Sequence, residues 1–209
     1  MDQTLLVAIK DGNLHTLRRL VAFYHVGSRL MHLKDTDNGT PIHLAIKNGD
    51  FPMLEYLLLI MRGHRINDRE RACCGGFTAL HYACLANRID LIRALVLFNA
   101  DLNVKSSGLT EETPLILCCK KGLLKAAAEL VHLGANVHTK DGFGYTAAVW
   151  CRRYNREGFI VKLGLGPPTL PSFTEFVDLH KARNNGVFQI PKVKQKQSKK
   201  SKKTGASKK

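Results

Sequence analysis

A six-residue pattern that begins with threonine recurs four times along the chain, and it constrains the fold more than any other feature of the sequence. The copies read TPIHLA from Thr40, TALHYA from Thr78, TPLILC from Thr113 and TAAVWC from Thr146, and their starts lie 38, 35 and 33 residues apart. Repeats of roughly 20–50 residues indicate one supersecondary unit per copy, which buries its apolar face only by stacking on neighbouring copies.

Each copy continues in the same way. Nine residues after each threonine stands a glycine or asparagine, the residues that tolerate the left-handed turn at the end of a short helix. These residues are Gly49, Asn87, Gly122 and Asn155. An apolar stripe with helical spacing follows the turn, for example Leu91, Ile92, Leu95 and Val96. The unit is therefore predicted to be a short helix, a tight turn, a longer antiparallel helix and a polar, hairpin-like loop.

These motifs resemble the ankyrin repeat, whose period is about 33 residues and whose hallmark is T-P-L-H-x-A. The resemblance covers roughly residues 3–166 of a repeat domain predicted over residues 1–166, with units that start near residues 3, 40, 78, 113 and 146. It implies an all-α solenoid of about five helix pairs, in which the degenerate first unit serves as a cap. The family's loop pattern D-x-x-G-x-T is complete only at residues 141–146. By spacing, Cys73 takes the aspartate place in the third unit, and Gly108 and Glu111 stand in the pattern's places before Thr113.

The composition changes after the repeats. Residues 167–190 are predicted to be a linker with a short amphipathic helix, in which Phe173, Phe176, Val177 and His180 share one side. That helix is expected either to cover the last repeat or to act as a linear motif for a partner. Residues 191–209 are predicted to be disordered, since residues 192–209 contain nine lysines and no acidic residue. Lys199, Lys200, Lys202 and Lys203 form a candidate patch for localisation or polyanion binding.

No catalytic or metal-binding pattern is found. Cys84, Cys118, Cys119 and Cys151 take positions where the repeat has alanine, so they are predicted to be small buried side chains. His43 and His81 stand in the histidine place of the hallmark, and the resemblance implies that each ties its repeat to the next loop. We expect no enzyme activity, no cofactor and no metal.

In ankyrin-like stacks the first helices and the loop tips line a concave groove, and partners bind there. Applied to this chain, the resemblance places a partner at positions seven and eight after each threonine and at the loop tips. The predicted partner-binding residues are Lys10, Lys47, Asn48, Phe77, Leu85, Lys120, Lys121, Phe143, Tyr145, Arg153 and Tyr154. Such a groove would be basic with an apolar middle, which suits an acidic, partly apolar protein segment. The alternative is that these lysines are only solvated surface.

Two functions remain open from the sequence. The first is a protein–protein interaction adaptor or scaffold, whose basic tail gives localisation or tethering. The second is a nucleic-acid-associated or cytoskeletal accessory protein, bound mainly through its tail to a polyanion such as nucleic acid, the acidic tails of tubulin or anionic lipid. The net charge of +15 suits both. With neither a secretory signal nor an apolar run of about 20 residues, we expect a cytoplasmic or nuclear monomer without a membrane span.

The loop from Arg62 to Gly75 is longer than the repeat requires and contains four arginines. Insertions in repeat arrays map to loops on one face of the stack, often the binding face. The loop is therefore either part of the binding surface or a tolerated surface insertion.

Overall fold

The computed structural model describes residues 2–24, 27–71 and 75–165, and within them it contains helices and no strand. The helices are α1 (Asp2–Lys10), α2 (Leu14–Tyr24), α3 (Gly27–Leu30), α4 (Pro41–Asn48), α5 (Phe51–Met61), α6 (Ala79–Leu85), α7 (Ile89–Leu97), α8 (Pro114–Lys121), α9 (Leu124–His132), α10 (Ala147–Arg153) and α11 (Glu157–Lys162). All but α3 form helix pairs, α1/α2, α4/α5, α6/α7, α8/α9 and α10/α11. The predicted all-α repeat solenoid is confirmed.

The helix boundaries follow from residues that recur at equivalent positions in the repeats. Each pattern threonine precedes its helix in an extended conformation, which is the N-cap geometry. The five turn residues have φ between 53° and 82°, as predicted; they are Gly12, Gly49, Asn87, Gly122 and Asn155. Glycine and asparagine reach this left-handed region at the lowest cost, so the short helix ends at the same place in every unit.

The first helices of the units (α1, α4, α6, α8 and α10) stack in chain order and form the inner row of the solenoid. The second helices α5, α7 and α9 likewise pack side by side and form an outer row. Between the rows lies the core, to which α5 contributes Met53, Leu54, Leu57 and Leu58, all fully buried. The inner row and the outer row therefore present separate surfaces to solvent.

A closed loop precedes each threonine. The backbone N–H groups of Asp35, Glu70, Ser106 and Asp141 donate to the carbonyls of Gly39, Phe77, Glu112 and Tyr145, at 2.8–3.0 Å. Successive loops also bond to one another. The N–H of Arg71 donates to Asp37 at 3.0 Å, that of Ser107 to Gly76 at 3.0 Å, and that of Gly142 to Thr110 at 2.9 Å. The loops thereby extend the stacking of the helices.

This hydrogen bonding corrects the spacing-based assignment of the loop positions. The aspartate place belongs to Glu70 in the third unit and to Ser106 in the fourth, rather than to Cys73 or Gly108. The hydroxyl of Ser106 accepts from the N–H of Glu112 at 3.0 Å, as the carboxylate of Asp141 does from Tyr145 at 2.9 Å. The two middle loops contain extra residues, so counting back from the threonine gives the wrong position.

The described residues of two connections, the one between α2 and α4 and the one between α5 and α6, are packed against the stack. The first contains α3, which packs on α5 and buries Leu30. The second is held by Arg65, whose guanidinium donates to the Met31 carbonyl at 2.6 Å and to Asp68 at 2.7 Å. Within residues 62–71 the insertion is thus fixed to the preceding connection. The predicted helix at residues 173–180 and the lysine-rich tail lie outside the described residues.

Candidate partner-binding site

A cleft lies between the inner helices α6 and α8 and the loops that precede them. Its volume is about 520 Å³, and we call it the inner cleft. It is lined by Gly75, Phe77, Leu85, Gly108, Leu109, Thr110, Glu112, Leu117, Lys120 and Lys121. Four residues that the sequence predicted as partner contacts therefore lie together: Phe77, Leu85, Lys120 and Lys121.

Phe77 forms one apolar wall of the inner cleft. Its ring stacks on His81 with centroids 5.3 Å apart, and it meets Tyr82 edge-on at 5.7 Å. Because His81 is buried, the partly exposed phenyl ring is held on a rigid support. Leu109 stands at the opposite loop with 90% of its side chain exposed, and sequence analysis missed it. An exposed leucine beside a supported aromatic ring is the kind of surface that anchors an apolar side chain.

The two lysines of the cleft differ in their electrostatic surroundings. The Lys120 ammonium group forms an ion pair with the carboxylate of Glu112 and lies 4.2 Å from the centroid of the Trp150 ring. Only 8% of the Glu112 side chain is exposed, so this pair is largely withdrawn from solvent. Lys121 is exposed and forms no ion pair in the part of the chain that the structure describes. The charge available to a partner in the inner cleft is therefore chiefly that of Lys121.

The same arrangement recurs at Lys47. Its ammonium group is 2.6 Å from the Glu70 carboxylate and 4.8 Å from the centroid of the Tyr82 ring. The Tyr82 hydroxyl donates to the other oxygen of Glu70 at 2.6 Å, and the Glu70 side chain is fully buried. In both cases a lysine seven residues after one threonine lies over the aromatic ring four residues after the next. Lys47 and Lys120 therefore stabilise contacts between repeats, whether or not they also meet a partner.

Two of the remaining predicted residues meet at the C-terminal end of α1: Lys10 belongs to α1, and Asn48 belongs to α4. Lys10 is exposed at the end of α1. The Asn48 amide donates to the carbonyls of Ile9 and Lys10 at 3.0 and 2.8 Å. This side chain of the second repeat therefore caps the C-terminal end of α1. Neither residue belongs to the inner cleft.

The last repeat carries an aromatic and cationic group around Trp150. Tyr154 stacks on the indole at 6.0 Å and is 47% exposed, and the Arg153 guanidinium lies 5.3 Å from the ring centroid. The indole N–H donates to Asp141 at 2.7 Å, which fixes the ring beneath both side chains. The side chains of Arg153 and Tyr154 are thus exposed to solvent and supported by the fixed indole ring of Trp150.

The predicted loop-tip contacts of the last repeat are only partly accessible. Phe143 is partly exposed, but Tyr145 is 2% exposed and packs edge-on against Trp150 at 5.7 Å. The expectation that Tyr145 presents its ring to a partner is wrong in this structure. Its backbone is drawn inward because its N–H donates to the buried carboxylate of Asp141, and the ring follows into the core.

The hallmark histidines have a structural role. The His81 Nε2 donates to the Glu112 carbonyl of the next loop at 3.0 Å, while Nδ1 accepts from the N–H of Thr78 at 3.2 Å. The implied tie between repeats is confirmed at His81. Desolvation by burial lowers the pKa of His81 to about 4, and burial also lowers the pKa of His43. Both rings are therefore neutral near pH 7 and occupied by structural contacts.

The four cysteines of the inner helices are buried and free, as the repeat positions predicted. They lie in two pairs between repeats. A hydrogen bond with Cys84, together with burial, raises the pKa of Cys118, and a hydrogen bond with Cys151, together with burial, raises that of Cys119. Among the described residues, no three histidine, cysteine or acidic side chains are grouped so that they could hold a metal ion. Cys73 and Cys74 lie outside the described residues.

These features define a class, that of a helical-repeat stack with a cleft on its inner surface. The family model for three copies of the ankyrin repeat matches residues 5–106 and 59–141. The chain therefore belongs to the ankyrin-repeat family. Ankyrin repeats generally mediate protein–protein interaction. No helix among the described residues has the length and apolar character needed to cross a membrane.

Several curated proteins share the repeats. The chain is 37% identical over 132 residues to the poly(ADP-ribose) polymerase tankyrase of Caenorhabditis elegans, covering 55% of the chain and 6% of that protein. It is 29% identical over 151 residues to an ankyrin repeat protein of Acanthamoeba polyphaga mimivirus, covering 72% and 18%. It is 30% identical over 138 residues to the NF-kappa-B p105 subunit of Mus musculus, covering 65% and 13%. The chain thus spans less than a fifth of the length of each of these relatives.

Proposed function

We propose that the chain is a protein–protein interaction adaptor that binds a partner segment in the inner cleft. The observation that carries the proposal is the convergence of Phe77, Leu85, Leu109 and Lys121 in one cleft on the inner face. An apolar anchor site beside a cation fits a polypeptide segment that carries an apolar and an acidic side chain.

An interaction function without catalysis agrees with the family and with the histidines. The His81 ring is neutral and donates to the Glu112 carbonyl, so it is not available as a general base. The polymerase activity named for the tankyrase relative belongs to a protein of which the chain matches only 6%. We therefore infer that the chain is not an enzyme.

The preferred partner is an acidic, partly apolar segment. Residues 1–191 carry a net charge of +6, which favours the approach of an acidic chain. Within the inner cleft Lys120 is neutralised by Glu112, so recognition of a carboxylate depends on Lys121. The apolar part of the segment would lie against Phe77, Leu85 and Leu109.

The test is affinity capture of a partner by the full chain and by two variants, with nuclease present. Leu109→Asp places a charge at an exposed apolar position, and Lys121→Glu reverses the cation. Either change is expected to weaken recovery at least about tenfold, which corresponds to about 1.4 kcal/mol. Lys125→Glu is the matched control, since Lys125 is exposed on α9 outside the cleft. Equal recovery by all variants would contradict binding in the inner cleft.

A second candidate function is polyanion binding through the tail. It rests on the nine lysines and absent acidic residues of 192–209, which include Lys199, Lys200, Lys202 and Lys203. Binding of this kind falls steeply with salt concentration, because it releases counterions. It would be abolished in a chain truncated after residue 191, whereas binding in the inner cleft would persist. Cytoplasmic or nuclear location and the monomeric state stay predictions.

A further inference from the structure

A second depression lies on the other side of the stack, between the outer helices α5 and α7. Its volume is about 490 Å³, and we call it the outer groove. Its apolar lining comes from Phe51 and Leu58 of α5, from Ala94 and Leu97 of α7, and from Phe98 at the end of α7. The groove is separate from the inner cleft, because the two share no lining residue.

The outer groove follows the direction of its two helices. On α5, Phe51, Glu55 and Leu58 lie at spacings of four and three residues, so they share one face. On α7, Asp90, Ala94 and Leu97 do the same. At about 1.5 Å per residue these stripes run for roughly 10 Å, which is close to two turns of a helix. The floor is the fully buried Leu58, and the rim is Leu97, 79% of which is exposed.

The seam between the next two outer helices, α7 and α9, is spanned by a side-chain ion pair. Arg93 of α7 donates twice to Glu129 of α9, at 2.6 and 3.1 Å, and so spans that seam. No such pair spans α5 and α7 among the described residues. Asp90 is already paired with Arg88 of its own repeat in an ion pair. Glu55 forms no ion pair within the described part of the chain. The outer groove thus combines five apolar side chains with two charged residues that are already paired, Asp90 and Arg93, and with Glu55, which has no ion pair among the described residues.

We propose that the outer groove binds a short amphipathic helix of a partner protein, with a lysine or arginine of that helix at Glu55. A helix that binds in a groove contacts it through apolar residues at positions i, i+3, i+4 and i+7. The apolar lining of the outer groove extends over about the same length, two helical turns. The basic residue follows from charge complementarity, because the ion pairs of Asp90 and Arg93 leave Glu55 as the groove's uncompensated charge. This proposal does not depend on binding in the inner cleft.

The test is selection against the full chain of a displayed library of 16-residue alanine-based helices, with four positions on one face randomised. We expect the selected helices to carry apolar residues and at least one lysine or arginine. Leu97→Asp should weaken their binding at least about tenfold, since it charges the rim of the groove. Leu59→Asp is the control, because Leu59 is 60% exposed on α5 and lies outside the groove. It should leave affinity unchanged.

A charge exchange tests the position of the basic residue. Glu55→Lys should weaken the selected helix about tenfold, and replacing the basic residue of that helix by glutamate should restore its binding. Equal binding to the Leu97→Asp chain, or no recovery in the charge exchange, would overturn the proposal. Self-association of the full chain that is lost in Leu97→Asp would also overturn it, because a second copy would then occupy the groove.

Discussion

Replacing His81 by glutamine gives the sharpest test of how the repeats are held together. His81 donates to the Glu112 carbonyl at 3.0 Å from a fully buried ring, and burial lowers its pKa from 6.5 to about 4. In the unfolded chain the ring takes up a proton near pH 6.5, whereas in the native protein it resists protonation until about pH 4. Between these values the unfolded chain binds more protons, so stability falls as the pH is lowered.

The size of this effect follows from the two pKa values. Each pH unit between them corresponds to about 1.4 kcal/mol, so His81 contributes about 3 kcal/mol of unfolding free energy at pH 7 that is lost by about pH 4. His81→Gln should cost roughly 1–3 kcal/mol at neutral pH through lost hydrogen bonds. The variant carries no titrating group at this site. The difference in stability between the two proteins should therefore shrink with acid and vanish between about pH 6 and pH 4, at a pH set by its size at neutral pH.

The assay is urea unfolding followed by circular dichroism at several pH values between 7 and 4. Carboxylate titration and His43, whose pKa burial also lowers, affect both proteins and cancel in the comparison. His15→Gln is the control for a surface histidine, because His15 is exposed on α2 and its replacement should leave the unfolding free energy at pH 7 unchanged. Parallel curves of unfolding free energy against pH for the native chain and His81→Gln would refute the reasoning.

Further changes test the contacts between repeats by the same unfolding assay. Gly122→Ala should destabilise the chain by about 1–2 kcal/mol, because φ is +82° there and a new Cβ would lie 3.0 Å from the Arg156 guanidinium. Gly158→Ala is its control and should be neutral or stabilising by up to about 1 kcal/mol, since Gly158 lies in α11 with open space around it. Equal losses of unfolding free energy in the two variants would contradict backbone strain at the Gly122 turn. Lys120→Met should cost roughly 3 kcal/mol because it strands the buried Glu112 carboxylate, and adding Glu112→Gln should recover much of that loss. Failure of the second change to recover stability would show that Lys120 acts through packing on Trp150 instead.

The helices could be predicted from the sequence because their boundaries depend on local chemistry. A threonine before a short apolar run gives an N-cap, and a glycine or asparagine nine residues later gives the left-handed turn. Asn87 and Asn155, with φ of 53° and 54°, take the turn as well as the glycines do. Burial of Cys84 and Cys119 was likewise predictable, since the position in the repeat decides it.

The loops were less predictable because their lengths differ between units. Glu70 and Ser106 take the place of the loop aspartate although each lies farther from its threonine than Asp35 or Asp141 does. The repeat pattern gives no signal for an inserted residue inside a polar loop, and only the hydrogen bonds identify the equivalent positions. Leu109 was missed for the same reason, since it lies in such an insertion.

The placement of Glu70 and Glu112 decides the charge of the inner face, which the sequence alone made too basic. Their carboxylates neutralise Lys47 and Lys120, the two lysines seven residues after a threonine that lie over an aromatic ring of the next repeat. At the inner cleft, a groove predicted to be basic with an apolar middle thus becomes an apolar site beside one exposed lysine, Lys121. The outer groove has the opposite sign, since its unneutralised group is Glu55. The two proposed surfaces would then select segments of opposite charge, so partners at the two sites should not compete.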